Sequence, residues 1–438
     1  MVPMNRTNRT ERGQAIVIIA VAIFVLTGIA ALAVDGGLYY ADRRKAQNAA
    51  DSAVLAASLA RLRGEDFVSA ALLNAEKNGY RNDGERSEVL VSAPPASGPY
   101  EGDREYVQVT VVSRHKTYFG AVVGIRELLN SAQAVSRAVP PKFGPILKDY
   151  AIVSLAPYSG CKNVRAFWAH DEATLQLYGG GIFINSNNSS CAFLQEGSAS
   201  LVFSDPTMQF NVVGGASIQK VELIKRVLQP PASAEGKPSL ALRPTTLAIL
   251  PNTGNSAIPY PPPFDLPKAG CSKAAAVDPE DPSIMEAGSW EGEFPPEGVT
   301  QLKKGVYCIN GDVRIRGEKI EGENVTLVVE NGSVHFSGTT EIHLRAPASG
   351  PLKGLLLYLP MDNVSLVTLN AARDSDIRGA ILAPSSKIRI VGNESRSGFH
   401  SQIIGYLIEV AGNSNVIIRY SEEQNYSTFS SPVIQFGQ

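Results

Sequence analysis

An uncharged run of apolar residues constrains the fold of this chain more than any other feature of the sequence. The run, AIVIIAVAIFVLTGIAALAV, lies between Gln14 and Asp35. As a helix it would be about 30 Å long, which matches the hydrocarbon thickness of a bilayer. It therefore predicts a transmembrane helix over residues 14–35, with residues 1–13 as a cytoplasmic tail. The alternative is a signal peptide cleaved near Ala33, which would also export everything downstream.

Basic residues flank the run on both sides, so the positive-inside rule does not select a direction. They are Arg6, Arg9 and Arg12 before the run, and Arg43, Arg44 and Lys45 after it. The exported character of the remaining chain decides the orientation instead. We expect a single-pass protein of the cytoplasmic membrane, with the bulk of the chain extracytoplasmic.

Alanines recur at steps of three and four residues directly after the run, which is the spacing of one helix face. This stripe consists of Ala46, Ala49, Ala50, Ala53, Ala57 and Ala60. Small residues let another element approach the helix backbone closely. The stripe therefore serves one of two purposes: it pairs with another membrane helix, or it packs on its own domain.

Residues 11–60 resemble the N-terminal region of TadE/TadG-like proteins of the tight-adherence (Flp) pilus-assembly system. The resemblance lies in Arg-Gly-Gln at 12–14, Ala-Val-Asp at 33–35 and KAQNAAD at 45–51. It implies partners among pilus-assembly or other envelope proteins. Related pilins are cut after a glycine and carry Glu at the fifth mature position. Ile18 occupies that position here, so we expect an uncut anchor and not a pilus subunit.

The remainder of the chain reads as mostly β. Residues 36–139 alternate short helical and extended patterns, which predicts a small α+β module that begins with the Ala-rich helix. From residue 150, short apolar runs are separated by Gly, Asn and Ser. Such runs favour a right-handed parallel β-helix (β-solenoid) in two blocks, 150–228 and 301–421, with Asn side chains bonding between coils. A β-sandwich is the alternative, and residues 422–438 would form a C-terminal tail.

Proline separates the two blocks. Fourteen of the 28 prolines fall within residues 229–300. Proline removes a ladder donor, so this segment cannot be central sheet. We expect either an extended strap along the solenoid or a linker.

The chain contains four cysteines and no CxxC pair. In an exported chain an even count favours two disulfides. The sequential pairing joins Cys161 to Cys191 and Cys271 to Cys308, and it is one of three possible pairings. The alternative is four unpaired core residues.

The sequence offers little for catalysis. The net charge of −2 excludes a strongly basic nucleic-acid footprint, and the sequence suggests no metal or cofactor. Asp374 and Asp376, beside Arg378, are the best acidic candidates for a polysaccharide lyase or hydrolase, and a solvated corner is the alternative. We expect no enzyme but a structural protein of a Tad/Flp-like pilus-assembly or adhesion apparatus. The alternatives are an anchored carbohydrate-active enzyme and a surface adhesin that contacts cell-surface glycans.

Overall fold

The protein is described by a computed structural model that covers residues 12–228, 245–370, 372, 374–391, 398–413 and 415–437. The chain divides into two compact units. Unit 1 contains Met1–Pro141 and Pro432–Gln438, and unit 2 contains Lys142–Ser431. Most of the expected cytoplasmic tail over residues 1–13, and the first part of the expected strap over 229–300, lie outside the described residues.

Unit 1 begins with one long helix, α1 (Arg12–Leu62). The expected transmembrane helix and the Ala-rich helix are therefore continuous, and Gly36 lies within the helix without breaking it. A second helix, α2 (Phe67–Lys77), begins after Asp66, whose side chain accepts hydrogen bonds from the N–H groups of Val68 and Ser69. This cap satisfies two donors that have no partner inside the helix.

An antiparallel sheet completes unit 1. Its strands are β1 (Ser87–Ser92), β2 (Tyr106–Lys116) and β3 (Glu127–Val139), with a 3₁₀ turn at Gly120–Val123 between the last two. A fourth strand, Val433–Phe436, pairs antiparallel with β3. Residues 422–438 were expected to form a C-terminal tail, but Val433–Phe436 within them form a strand of unit 1. The free edge of β3 offers unpaired N–H and C=O groups, and the end of the chain satisfies them.

Unit 2 consists mainly of short strands. Those before residue 229 are β4 (Phe143–Pro145), β5 (Tyr150–Ser154), β6 (Phe167–Ala169), β7 (Thr174–Tyr178), β8 (Gly181–Ile184), β9 (Phe193–Gln195), β10 (Ser200–Phe203), β11 (Phe210–Val212), β12 (Ala216–Ile218) and β13 (Ile224–Leu228). Two 3₁₀ turns lie at Val221–Leu223 and Glu422–Gln424.

The later strands begin after the proline-rich residues that precede position 245. They are β14 (Thr245–Ala248), β15 (Ala276–Val277), β16 (Ile284–Glu286), β17 (Ser289–Glu291), β18 (Gln301–Leu302), β19 (Gly305–Asn310), β20 (Val313–Ile315), β21 (Lys319–Glu323), β22 (Val325–Asn331), β23 (Val334–Phe336), β24 (Glu341–Arg345), β25 (Leu355–Tyr358), β26 (Val367–Leu369), β27 (Asp376–Arg378), β28 (Ala380–Val391), β29 (Phe399–His400), β30 (Ile403–Ala411), β31 (Asn415–Arg419) and β32 (Ser427–Phe429). The strand Val433–Phe436 of unit 1 is β33.

Parallel strands of unit 2 stack in three columns. The first column has the order β11-β8-β5-β30-β28-β25-β22-β19-β17, and the third has the order β14-β13-β10-β7-β31-β29-β27-β24-β21-β18-β16-β15. Between them, the second column joins β12, β9, β6, the later parts of β30 and β28, β26, β23 and β20. Antiparallel strands lie at both ends of the third column, where β14 pairs with β13 and β15 with β16.

The stacking order differs from the chain order. The first strands of the unit pair with its last ones, because β5 lies beside β30 and β7 beside β31. The two blocks expected from the sequence therefore meet in the middle of the stack, and residues 249–275 connect its two outer ends. One ladder of buried isoleucines crosses this junction, with Ile381, Ile403, Ile152 and Ile182 as successive register partners. Both blocks thus share one apolar core.

The proline-rich segment lies along the outer face of the first column. Its Phe264 is buried in a cluster with Phe183, Leu382 and Ile404, which point away from the central core. Asn185 joins the two layers: its amide nitrogen donates to the carbonyl of Ile258 at 2.8 Å, and its amide oxygen accepts from the Ile258 N–H at 2.7 Å. The first-column strands are consequently covered on both faces, which explains their continuous apolar sequences.

Candidate functional site

The first part of α1 is apolar, and the described part of the chain leaves most of its large side chains uncovered. Large side chains between residues 16 and 34 are exposed, and Phe24 is 79% exposed. Among the described residues, this is the one helix that is long and apolar enough to cross a membrane, and its most apolar stretch is unburied. A soluble protein does not normally expose so large a contiguous apolar surface. The helix therefore fits a single-pass membrane anchor.

The second part of α1 is the packing face of unit 1. The six alanines of the stripe, Ala46, Ala49, Ala50, Ala53, Ala57 and Ala60, are 0–4% exposed. The first five of them, Ala46 to Ala57, belong to one cluster with Ala71 and Ala75 of α2 and with Val107 and Val109 of β2. Of the two purposes expected for the stripe, the structure shows the second: these alanines pack on their own unit.

A buried carboxylate precedes the alanine stripe on the same helix. Asp42 lies one helical turn before Ala46 and is 7% exposed. Three of its partners are Tyr80, whose hydroxyl donates to Oδ1 at 2.7 Å, Asn130, whose amide donates to Oδ2 at 3.0 Å, and the hydroxyl of Ser113. On the fourth side, Nε2 of His115 lies 2.7 Å from Oδ1. One carboxylate thus connects α1 to Tyr80 in the turn that follows α2 and to two strands.

The environment of Asp42 favours its charged form. Burial alone would raise the pKa of this carboxyl group, but hydrogen bonds from Asn130, Ser113, Tyr80 and His115 outweigh that effect and hold its pKa below the ordinary value. Burial, with the bond to Asp42, raises the pKa of Tyr80, so the phenol remains a donor. These groups form a polar network around the carboxylate of Asp42 inside an apolar interface.

A second aspartate fixes the loop between β2 and β3. Asp35 is 8% exposed, and its carboxylate accepts hydrogen bonds from the backbone N–H groups of Tyr118 at 2.9 Å, Phe119 at 3.1 Å and Gly120 at 2.7 Å. The sequence analysis did not assign roles to Asp35 or Asp42. Both were detectable, because they lie seven residues apart on the face that the alanines continue.

The expected acidic pair does not converge. Asp376 lies on β27, where Arg345 and Arg378 each donate to its carboxylate, at 2.7 Å and 2.8 Å. Burial would raise the pKa of Asp376, but these two arginines lower it below its usual range. Asp374 is exposed. Arg345 also contacts the carboxylate of Glu323 at 3.0 Å, so Asp376 belongs to a surface ion-pair cluster with Arg345, Arg378 and Glu323.

A further polar cluster lies on the outer side of the second column. Glu409 is 6% exposed and receives the ammonium group of Lys387, Nε2 of His170 at 2.9 Å and Nε of Arg389 at 3.5 Å. Burial would raise the pKa of Glu409, but the bonds from Lys387 and His170 lower it below its usual value. The sequence analysis missed this cluster, since its members are far apart in the chain and become neighbours only through strand stacking.

Trp168 lies beside the same cluster and is fully engaged. The His170 ring stacks on it with 3.6 Å between centroids, and the Arg165 guanidinium lies 3.7 Å from its centroid. Its indole N–H donates to Glu196 at 2.7 Å. The His170 ring and the Arg165 guanidinium thus lie against the ring system that a sugar would need for stacking. Within the described parts of the chain, no group of three or more His, Cys, Asp or Glu side chains is arranged to hold a metal ion.

Two disulfides lie in unit 2. Cys161 is bonded to Cys191, and Cys271 is bonded to Cys308. The first links the loops on either side of β6–β8. The second fastens the end of the proline-rich segment to β19, so each bond lies within one part of the stack.

Comparison with known proteins gives one match. Residues 13–61 match the family described as "Putative Flp pilus-assembly TadE/G-like", which confirms the resemblance found for residues 11–60. The matched residues cover the apolar part of α1, both buried aspartates and the alanine stripe. No curated protein and no solved structure matches the chain.

Proposed function

We propose that this chain is a membrane-anchored, extracytoplasmic structural protein of a Tad/Flp-like pilus-assembly or adhesion apparatus. One observation carries the proposal: the helix that matches the TadE/G-like family has an unburied apolar half and a half that is packed into a folded unit. The first half has the properties of an anchor, and the second transmits its position to the folded chain. Its partners would be other pilus-assembly or envelope proteins.

The cysteines support an extracytoplasmic location for the bulk of the chain. All four form disulfides, Cys161–Cys191 and Cys271–Cys308. Disulfides persist in oxidising compartments and are rare in the reducing cytosol. Both bonds lie downstream of the apolar half of α1, which supports the proposal that unit 2 lies outside the cytoplasm.

We infer further that unit 2 is a right-handed parallel β-helix. Three columns of parallel strands around one apolar core support this assignment, as does the right-handed preference of connections between parallel strands. Asparagines form ladders between neighbouring coils: Asn331 donates to Asn310 at 3.0 Å, and Asn310 donates to Glu291 at 2.7 Å. A stack of this kind suits a structural role.

We propose a role without catalysis. The support is that arginines hold Asp376, while Asp374 is exposed. A carbohydrate-active enzyme would instead need two carboxyl groups facing each other across a groove. Incubating the purified chain with a panel of acidic and neutral polysaccharides tests this point. New reducing ends or unsaturated products that disappear in Asp376→Asn would overturn it.

The orientation is tested by cysteine labelling in cells that express the chain. Two variants, Thr7→Cys before the apolar run and Glu101→Cys on the exposed surface of unit 1, are treated with a membrane-impermeant maleimide. We expect labelling at residue 101 in intact spheroplasts and at residue 7 only after lysis. The reverse pattern would overturn the proposed orientation, and equal labelling at both sites in intact spheroplasts would overturn the anchor.

The pilus connection is tested by exchanging the helix. One variant replaces residues 15–34 by an unrelated apolar helix of equal length, and a second replaces Asp35 and Asp42 by alanine while the span stays native. In-cell cross-linking followed by mass spectrometry identifies the neighbours of each. We expect the native chain to cross-link to pilus-assembly proteins; cross-links confined to unrelated envelope proteins would contradict the assignment.

A further inference from the structure

In an anchored chain, the position of Asp35 indicates how deep unit 1 lies relative to the bilayer. Residues 16–34 of α1 are apolar, and as a helix they span about 28 Å at 1.5 Å per residue. This length matches the hydrocarbon core of a bilayer, which is about 30 Å thick. Asp35 is the first charged residue after this stretch. In an anchored chain it therefore lies at the boundary between hydrocarbon and headgroups.

The loop between β2 and β3 is attached at this depth. We call residues 116–126 the interface loop. Three consecutive N–H groups of the loop, at Tyr118, Phe119 and Gly120, donate to the carboxylate of Asp35 over 2.7–3.1 Å. Asp35 is buried by these contacts. The interface loop cannot move away from the boundary without leaving a buried carboxylate unpaired.

The side chains of the interface loop fit a bilayer surface. Tyr118 is 75% exposed, Ile125 is 51% exposed and Phe119 is 42% exposed, whereas the ends of the loop carry exposed Lys116 and Arg126. Aromatic rings are enriched where hydrocarbon meets headgroups. Basic side chains at that level attract the phosphates of anionic lipids. The apolar tip and the basic ends thus follow the polarity of the interface.

An apolar pocket of about 530 Å³ lies between α1 and the interface loop. On the helix side it is lined by Phe24, Gly28 and Leu32, and on the loop side by Phe119 and Ile125. A side chain at Gly28 would meet no other atom within 4 Å, so space remains beside the helix. The helix residues belong to the apolar stretch of α1. The pocket is therefore continuous with the surface that the anchor presents to lipid.

We propose that the interface loop enters the membrane interface as a second contact beside the anchor, and that a phospholipid acyl chain fills the pocket between them. This inference rests on the membrane anchor proposed above. A single helix leaves a folded unit free to rotate about the helix axis, whereas a second contact fixes its orientation to the bilayer. Lipid is the occupant because the pocket opens at the level where hydrocarbon surrounds α1.

The experiment measures depth at three positions of the full chain. Single cysteines replace Tyr118 in the loop, Leu26 in the anchor and Glu101 on the exposed surface of unit 1, and each is labelled with the fluorophore NBD. The proteins are reconstituted in vesicles of phosphatidylcholine and phosphatidylglycerol. Quenchers are spin-labelled lipids with the label near the headgroup or deep in the chain, and aqueous iodide.

We expect severalfold higher NBD emission at residues 118 and 26 than at residue 101. Shallow spin labels should quench residue 118 most and deep labels residue 26 most, while iodide should quench residue 101. Insertion of residue 26 together with iodide quenching at residue 118 would overturn the second contact while the anchor stands. Iodide quenching at all three positions would overturn the anchor as well.

A photoreactive lipid tests the occupant of the pocket. A phosphatidylcholine with a diazirine on its acyl chain is added to the same vesicles, and labelled peptides are mapped by mass spectrometry. We expect adducts on residues 24–32 and also on residues 117–128. Adducts confined to residues 24–32 would contradict the acyl chain in the pocket. Loss of the 117–128 adducts at high protein-to-lipid ratio would assign the pocket to a second copy of the chain.

Discussion

The phenolic hydroxyl of Tyr80 donates a 2.7 Å hydrogen bond to Oδ1 of Asp42, and both side chains are buried. Tyr80 lies three residues after the end of α2, and Asp42 lies near the middle of α1. The bond therefore joins the two helices at the level where the alanine stripe begins. In an interface made mainly of small side chains, which bury little area each, this polar contact supplies much of the specificity for one helix arrangement.

Replacing Tyr80 by phenylalanine should loosen unit 1. The ring still fills its site, but one buried oxygen of Asp42 loses a donor, which costs about 1–3 kcal/mol. We expect faster hydrogen exchange in peptides from α2 and the middle of α1, measured on the full chain in detergent. Tyr118→Phe is the matched control, because Tyr118 is 75% exposed. Equal exchange in both variants would contradict a structural role for the bond.

The stability of unit 1 should fall in acid, and Asp42 should carry part of the loss. Hydrogen bonds lower the folded-state pKa of Asp42 against the opposing effect of burial. A carboxyl group with a lowered folded pKa stabilises the fold above its unfolded value, about 3.9, and that contribution disappears as the pH falls through the folded pKa. The difference in stability between the native chain and Asp42→Asn should be constant above about pH 5 and shrink below about pH 4.

Urea unfolding of unit 1, followed by hydrogen exchange at several pH values, measures this dependence. Asp51→Asn serves as the control, since Asp51 is on the same helix but is only partly buried. Parallel pH profiles for the native chain and Asp42→Asn would show that Asp42 does not contribute to acid sensitivity.

The main structural features were visible in the sequence because they rest on composition and periodicity. The uncharged run before Asp35 predicted the first half of the long helix, and the alanine spacing from Ala46 to Ala60 predicted the second. Short apolar runs predicted the parallel strands of unit 2. The prolines predicted a segment outside its sheets, which holds for residues 249–275 but not for 276–291, where β15, β16 and β17 join the stack. The order of the stack was not accessible, since the pairing of Ile152 with Ile403 joins residues that no local pattern relates. The same limit applies to the strand Val433–Phe436.

Among the polar sites, too, local sequence patterns predicted some contacts, and strand stacking produced others that no local pattern could predict. The even cysteine count and the export context predicted two disulfides, and the bond between Cys271 and Cys308 belongs to the sequential pairing, one of the three that the sequence left open. In contrast, Asp376 was selected for its neighbours in sequence, whereas Arg345, one of its partners, comes from the preceding strand of the third column. Glu409 escaped notice because it has no acidic or basic neighbour in sequence. Its partners arrive from β28 and from the residue after β6.

Asn185 should hold the proline-rich segment against the stack. Its amide bonds to both backbone groups of Ile258 and to the carbonyl of Leu155 at 3.0 Å. In Asn185→Ala these buried groups lose their partner, and we expect a cost of about 1–3 kcal/mol. Limited proteolysis should then cut within residues 250–270 faster than in the native chain. Asn187→Ala, at an exposed position of the same loop, should leave the rate unchanged; equal rates in both variants would argue against this tether.

Glu409→Gln should weaken the second column locally. The neutral amide removes the charge that Lys387, Arg389 and His170 share, and it presents an N–H group towards these donors. We expect a loss of about 1–3 kcal/mol, because hydrogen bonds to a buried charge are stronger than neutral ones. Hydrogen exchange of peptides from β6 and β28 measures the effect. Glu330→Gln, on an exposed position of β22, provides the comparison, and similar exchange in the two variants would contradict the prediction.

Removing the disulfide between Cys271 and Cys308 should destabilise unit 2 and leave the other disulfide, Cys161–Cys191, intact. Cys271 and Cys308 are 37 residues apart, and Cys161 and Cys191 are 30 residues apart. Loops of similar length imply a similar loss for either pair, about 2–4 kcal/mol. We expect the double variants Cys271→Ser/Cys308→Ser and Cys161→Ser/Cys191→Ser to lower the urea midpoint comparably. Peptide mapping of the non-reduced native chain serves as the control on connectivity, since a peptide that links Cys161 to Cys271 would overturn both pairings.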